Sequence, residues 1–209
     1  MIKVLVADDH AVIRQGIKHV IEEQPDMTLI GEAQNGEEAL KLARTVDWDV
    51  LVMDISMPLR NGMEVLREIQ NIKRCAPVLM LSVYPEDQFG IRVIKAGAAG
   101  YLNKAIDPSE LVTAIKRVVN GGKYVSASLA EHFLEELSGN HIKAPHKLLT
   151  DREYDVMRML GAGKRPADIA QELALSVKTI STYRGRVLFK LGLKNNAELI
   201  RYVTEHSLA

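Results

Sequence analysis

The chain has 209 residues, 47% of them apolar and 26% charged, with 27 Lys/Arg against 27 Asp/Glu. That composition fits a globular protein of one or two domains and excludes a disordered chain, a collagen-like repeat and a disulfide scaffold. No apolar run approaches the ~20 residues a membrane span needs, the start Met1-Ile2-Lys3-Val4 lacks a secretory pattern, and the single cysteine, Cys75, fits a reducing compartment, so a cytoplasmic location is expected.

The first 120 residues alternate between two periodicities. Ile2–Ala7 is a short apolar run read as a buried strand, and His10–Glu23 carries Val12, Ile13, Ile17, Val20 and Ile21 at helical spacing. Met27–Ala33 reads as strand, Gly36–Val46 as helix, Val50–Met53 as strand and Met63–Ile72 as helix. Pro77–Leu81 is strand-like, Gln88–Ala96 helical, and Ala99–Leu102 a short strand. Pro108–Val119 is a helix with proline near its start and Gly121-Gly122 past its end. Five strand–helix repeats with strands apolar throughout predict a doubly wound parallel α/β sheet, whose ligands sit outside the carboxyl ends of the strands.

Ser126–Leu137 is a candidate connecting helix capped by Ser126 or Ser128, and periodicity breaks over a linker at about 138–147. From Leu148 on, the pattern is helical. Thr150-Asp151-Arg152-Glu153 is a capping box opening a helix to about Ala162. Pro166–Leu173 and Ser176–Leu191 flank the tight turn Ala174-Leu175, and a last helix starts at Asn195 or Asn196 and runs through Glu205. Four short helices with one such turn predict an all-α helix-turn-helix domain. The expected organisation is a first domain over 1–120, a connecting helix and linker over 121–147, and a second domain over 148–209.

The zero net charge hides an asymmetry. Residues 1–120 hold 14 Lys/Arg and 17 Asp/Glu, whereas residues 148–209 hold 10 and 7. Between Glu172 and Glu198 there is no acid, but there are Lys178, Arg184, Arg186, Lys190 and Lys194. An acidic front and a locally basic back suggest two different jobs.

Asp8 and Asp9 follow the first predicted strand and Asp54 follows the third, two strands that are neighbours at the switch point of such a sheet. Clustered carboxylates repel unless a cation joins them. Mg²⁺ suits a site that takes a few carboxylates and keeps waters for a phosphate. Ser82 ends the fourth strand and Lys104 follows the fifth. Any one acid at a loop tip reads equally as a solvated residue or a helix cap. Five such residues in register with strand ends read as a phosphoryl-transfer set, in which the Asp carboxylate is the nucleophile and the cations neutralise phosphoryl oxygens.

Asp8-Asp9-His10, Asp54 with Met57-Pro58 and Gly62, Ser82, and Gly97-Ala98-Ala99-Gly100-Tyr101-Leu102-Asn103-Lys104 resemble the receiver domain of bacterial two-component response regulators. The resemblance implies a strand order 2-1-3-4-5 and transfer of a phosphoryl group to Asp54 from the phosphohistidine of a sensor histidine kinase. It implies Mg²⁺ held by Asp9, Asp54 and the Ser56 carbonyl, with Asp8 acting largely through water. It further implies that Lys104 pairs with the phosphoryl group, and that Ser82 and Tyr101 form a switch pair, Tyr101 rotating into space that Ser82 vacates. Ala105 stands where relatives often carry a proline after the lysine, so a somewhat different loop is expected.

On the helix Ser176–Leu191, Val177, Ile180, Val187, Leu188 and Leu191 share one stripe, while Lys178, Ser181, Thr182 and Gly185 share the opposite face. Such a face can approach a major groove closely, and the acid-free cations attract phosphate. Leu149-Thr150, Arg152-Glu153, Asp168-Ile169-Ala170, Lys178-Thr179-Ile180-Ser181-Thr182-Tyr183 and Lys190-Leu191-Gly192-Leu193 resemble the LuxR-type helix-turn-helix. Together the two parts resemble the NarL/FixJ transcriptional regulators. That resemblance implies Ser181 and Thr182 at base edges and Lys178, Thr179 and Lys194 at phosphates. Arg184 falls beside the apolar stripe, so its stem can pack while its head reaches a phosphate. Asn196 sits where many relatives have arginine. Double-stranded DNA, a sensor kinase, RNA polymerase and a second copy of the chain are the expected partners, with no membrane association and no dedicated enzyme activity beyond accepting the phosphoryl group and self-dephosphorylating.

Three rivals stay open on sequence. One is an Asp-nucleophile phosphatase, although Ser56 stands where such enzymes carry their general-acid aspartate. The second is a receiver-type adaptor that does not bind DNA, and the third a DNA binder indifferent to phosphate.

Overall fold

The structure is a computed structural model that describes residues 1–73, 76–83, 86–137 and 145–208. Cys75, His141 and most of the predicted linker lie outside the described residues. The chain divides into two compact units, Met1–Gly139 and Asn140–Ala209.

The first unit alternates strand and helix as its sequence predicts: β1 (Ile2–Ala7), α1 (Ala11–Glu22), β2 (Met27–Ala33), α2 (Gly36–Thr45), β3 (Val50–Asp54), α3 (Gly62–Ile72), β4 (Val78–Ser82), α4 (Glu86–Lys95), β5 (Gly100–Asn103), α5 (Pro108–Val119) and α6 (Ala127–Leu137). The five strands form one parallel sheet in the order β2-β1-β3-β4-β5. Every residue of β3 and β4 is buried, as strands covered on both faces require. Val4, Val6, Val50, Val52, Leu79 and Leu81 point to one face and cluster with Ile17 and Ile21 of α1 and with Leu111, Ala114, Ile115 and Val118 of α5. The alternate residues Leu5, Leu51, Met53 and Met80 are equally buried on the other face.

Local chemistry fixes the helix starts. The side chains of Asn35, Asn61 and Asp107 each accept an N–H from the first turn of α2, α3 and α5. Gly62 is required at the start of α3, because a Cβ there would stand 2.2 Å from the Asp54 carbonyl oxygen. The loop that follows Asp54 can therefore fold tightly back onto the end of β3.

Beyond α5 the chain stays on the first unit. Tyr124 makes an isolated parallel bridge to Gly100: its N–H donates to the Ala99 carbonyl at 2.9 Å, and its carbonyl accepts from the Tyr101 N–H at 3.2 Å. Ser126, one of the two predicted caps, accepts the Leu129 N–H at 3.0 Å and donates to Glu86. α6 packs on α4, with Leu129 buried against Gly90, where a Cβ would come within 2.7 Å of it.

The second unit holds a 3₁₀ turn (Pro145–Leu148), α7 (Asp151–Gly161), α8 (Pro166–Glu172), α9 (Val177–Leu191) and α10 (Asn196–Glu205). The capping box is present: the Glu153 N–H reaches Thr150 Oγ1, and the Thr150 N–H reaches Glu153 Oε2 at 2.8 Å. Between α8 and α9 the chain reverses through Ala174, whose φ of 53° is left-handed. Val156, Leu160, Ile169, Leu173, Ile180, Val187, Leu199 and Val203 are buried, with contributions from all four helices.

Candidate functional site

The parallel register brings the strand ends into one row, pairing Ala7 with Met53, Asp54 with Leu81, and Ser82 with Asn103. Asp8 and Lys104 each stand one residue beyond a strand, so their side chains meet Asp54 over the carboxyl edge. Lys104 Nζ lies 2.7 Å from Asp8 Oδ2 and 2.9 Å from Asp54 Oδ2. Asp8, Asp54 and Ser82 are buried, whereas Asp9 is exposed at the rim and Ser56 half-buried.

Burial pushes the Asp54 carboxyl above its ordinary range; the Lys104 charge opposes that shift and the Asp8 charge adds to it. Burial alone would lower the Lys104 ammonium, but Asp54 and Asp8 outweigh it and the net shift is upward. One lysine thus compensates two buried carboxylates. A single ammonium between two carboxylates neutralises the acid pair only in part.

Asp8, Asp9, His10 and Asp54 each offer a ligand atom, all within 4.8 Å of one another. Three hard carboxylates that one lysine compensates only in part fit a small divalent cation such as Mg²⁺. His10 was not legible as part of this cluster, since the six histidines show no metal spacing. Its Nδ1 lies 2.7 Å from Asp9 Oδ1, and its backbone N–H donates to Asp8 Oδ1 at 2.8 Å. The only sequence signal for it is adjacency.

The loop after Lys104 differs from a proline-bearing one in a specific way. Asn103 Oδ1 accepts the Ala105 N–H at 2.9 Å, a bond that a proline has no hydrogen to make. Among the described residues there is no cis peptide. The Lys104 N–H donates to the Ser82 carbonyl at 2.8 Å, tying the lysine's backbone to the end of β4.

Tyr101 is 1% exposed, so in this structure its ring already lies inward. Its backbone N–H donates to the Tyr124 carbonyl of the segment leading to α6.

In the second unit Lys178, Ser181, Thr182, Gly185, Arg186 and Phe189 are all exposed along α9, and Thr179 is half-buried beside its Ser176 cap. The Ser181 and Thr182 hydroxyls each donate to the carbonyl four residues back, at 3.0 Å, which leaves their lone pairs outward. The five cations of the acid-free stretch are not equivalent. Lys190 Nζ is bound by Glu153 Oε2 at 2.6 Å, and Arg184 Nε by Asn196 Oδ1 at 2.5 Å. Lys178, Arg186 and Lys194 form no ion pair among the described residues. The residue replacing the relatives' arginine, Asn196, therefore holds the other candidate contact, Arg184, against the start of α10.

No described helix is long and apolar enough to cross a membrane. Comparison with known proteins agrees with the two-part geometry. Residues 4–116 match the response regulator receiver domain, and residues 147–203 match the bacterial regulatory proteins of the luxR family. Over its full length the chain is 36% identical to the response regulator UvrY of Escherichia coli K12, covering 96% of that protein. It is 35% identical to the response regulator GacA of Pseudomonas aeruginosa, covering 98% of it. Among solved structures, RcsB from Salmonella enterica serovar Typhimurium, bound to promoter P1flhDC in the presence of the phosphomimetic BeF₃⁻, aligns over 97% of both chains with a TM-score of 0.59 and 25% identity. The chain thus belongs to the NarL/FixJ family of two-component response regulators, a receiver domain joined to a LuxR-type DNA-binding domain.

Proposed function

We propose that Mg²⁺-dependent phosphorylation of Asp54 by a sensor histidine kinase controls sequence-specific DNA binding and transcription by this chain, through a receiver over 1–120, a connecting segment over 121–147 and a DNA-binding domain over 148–209. The observation that carries this reading is Lys104 Nζ bridging Asp8 and Asp54 at the carboxyl edge of the sheet.

In the proposed transfer an Asp54 carboxylate oxygen attacks the phosphorus of the kinase's phosphohistidine, and the P–N bond breaks as the acyl phosphate forms. Asp8, Asp9 and Asp54, with the Ser56 carbonyl, would hold Mg²⁺, which supplies charge neutralisation for the phosphoryl oxygens. Lys104 then exchanges an Asp54 oxygen for a phosphoryl oxygen and keeps its contact with Asp8. The Ser82 hydroxyl donates to another phosphoryl oxygen. Release of the group to water returns the site to its starting state, and no further enzymatic reaction is assigned. Because the Ser82 carbonyl and the Tyr101 N–H are tied to Lys104 and Tyr124 respectively, the switch acts through β5 on the docked segment before α6, with Tyr101 as the relay.

On DNA, Ser181 and Thr182 would face base edges, and Lys178, Thr179 and Lys194 phosphates. Arg184, whose Nε is bound to Asn196, would join them through its Nη groups. Two copies on paired half-sites, contact with RNA polymerase, and a cytoplasmic site of action complete the reading. The test is intact mass after incubation with Mg²⁺ and acetyl phosphate, wild type beside Asp54→Asn. One phosphoryl adduct on wild type alone supports the reading. An adduct that persists in Asp54→Asn removes Asp54 as acceptor.

A further inference from the structure

We propose that Gly185 and Phe189 of α9 form an apolar subsite that reads a thymine methyl group in the major groove; this rests on the DNA-binding reading above. Phe189 is 88% exposed, the most exposed large apolar side chain described. It is not a stray from the apolar stripe. Eleven residues on from Lys178, it returns to within about 20° of it around the helix axis, at 100° per residue. Phe189 therefore lies on the same side of α9 as Lys178, Ser181, Thr182 and Gly185, and extends that exposed face by one turn toward the helix C-terminus.

Gly185 has no structural reason to be glycine. A Cβ there would meet nothing within 4 Å, and its φ is not left-handed. A glycine in a helix interior weakens the helix relative to alanine. What it provides is a bare turn on the exposed face. Helical side chains lean toward the N-terminus, so Phe189 stands beside the turn that Gly185 leaves bare without covering it, since a Cβ at Gly185 would meet no ring atom within 4 Å. The result is a flat apolar plate beside a shallow notch, about 6 Å along the axis from Gly185.

The surroundings say what covers this plate. No acid lies between Glu172 and Glu198, and on and just beyond the same helix Lys178, Arg186 and Lys194 form no ion pair among the described residues. A face of that charge favours a polyanion. The apolar group that a polyanionic duplex offers in its major groove is the thymine C5-methyl.

The test begins with selection of duplexes from a random library by the full-length chain, with and without acetyl phosphate, for wild type and Phe189→Ser. Wild type is expected to select a thymine at one position where the variant accepts any base. Replacing that thymine by deoxyuridine removes only the methyl. It should weaken wild type about fourfold, the worth of one buried methyl, and leave Phe189→Ser unchanged. Gly185→Ala should raise the melting temperature yet weaken binding about fivefold or more, because the added methyl fills the notch. A structural role would not move those two readouts in opposite directions.

Equal weakening of all sequences by Phe189→Ser, with no deoxyuridine effect, would assign the ring to the sugar-phosphate backbone and overturn the proposal. Unchanged DNA affinity with altered sedimentation would assign it to a protein surface, with the same consequence. Failure of wild type to bind any duplex at low salt would instead remove the DNA-binding reading itself.

Discussion

Replacing Lys104 by methionine isolates the electrostatics of the phosphoacceptor site. Methionine keeps the stem and the volume, so little packing is lost. What is lost is a cation 2.7 Å from Asp8 and 2.9 Å from Asp54. Opposite charges about 4 Å apart attract by about 4 kcal/mol at an effective dielectric near 20. Removing one member of a buried pair generally costs about 3–5 kcal/mol, because the partner's charge stays buried. The variant has one escape, which is to protonate a carboxyl. From an ordinary pKa near 3.9, that costs about 4 kcal/mol at pH 7 and about 1.5 kcal/mol at pH 5.

The destabilisation by Lys104→Met should therefore approach about 4 kcal/mol at pH 7 and shrink to about 1.5 kcal/mol at pH 5. The sign follows from linkage. A carboxyl whose folded pKa lies above its unfolded value makes the native state bind the extra proton, so the variant gains stability as pH falls. Urea unfolding of the full chain in EDTA is the assay, read by Trp48 fluorescence. Trp48 is the only tryptophan and is buried in the first unit, so the signal reports that unit. Adding Asp8→Asn removes the acid that repels Asp54, and the double variant should recover about 1–3 kcal/mol of the loss. A cost below about 1 kcal/mol at pH 7, or one that does not change with pH, would refute the view that Lys104 compensates buried charge.

Three further outcomes follow from the geometry. Leu129→Ala should free α6 from α4, seen as faster amide exchange over 127–137 with little change in β1 or β3, at a cost of about 2–3 kcal/mol in the docked state. With Lys178, Arg186 and Lys194 as the phosphate contacts, log affinity for DNA should fall against log salt with a slope of about −2.7 per protomer; Arg186→Gln should flatten it by about 0.9, and Lys190→Gln should leave it unchanged. In α7, burial alone would raise the Glu153 carboxyl, but Lys190 and the Thr150 donors outweigh it and hold it below its ordinary range. The stabilisation is thus complete above the unfolded pKa and lost as pH falls through the folded one. Amide exchange at the start of α7 should accelerate between about pH 5 and 3, and Glu153→Gln should abolish that dependence.

The strand ends were legible because continuous apolar runs stop where the polar residues begin, and because a parallel sheet aligns its carboxyl edges without further information. Asp8, Asp54, Ser82 and Lys104 are therefore placed by topology alone, and the starts of α7, α9 and α10 by their own caps Thr150, Ser176 and Asn195. The fate of each cation was not legible. Lys190 meets Glu153 across 37 residues of sequence, and Arg184 meets Asn196 across the α9–α10 turn. A charge count registers all five cations alike, but Lys190 is neutralised by Glu153 and Arg184 is anchored through its Nε by Asn196.

The destination of the connecting helix was equally hidden. An amphipathic segment shows that it has an apolar side, not what that side meets. The answer depends on Gly90 being bare enough to receive Leu129, and on Gly100 admitting the Tyr124 carbonyl oxygen, which a Cβ would approach to 2.5 Å. These two glycines decide how the first unit can signal. β5 is four residues long, so the strand that ends one residue short of Lys104 also carries, at Gly100 and Tyr101, the bridge to the connecting segment. A change in what Lys104 holds has a path of only three peptide bonds to the Tyr101 N–H and thence to Tyr124. On this reading a Cβ at Gly100 or a bulky side chain at Gly90 uncouples the segment while leaving the acid cluster intact, because neither residue touches Asp8, Asp54 or Lys104.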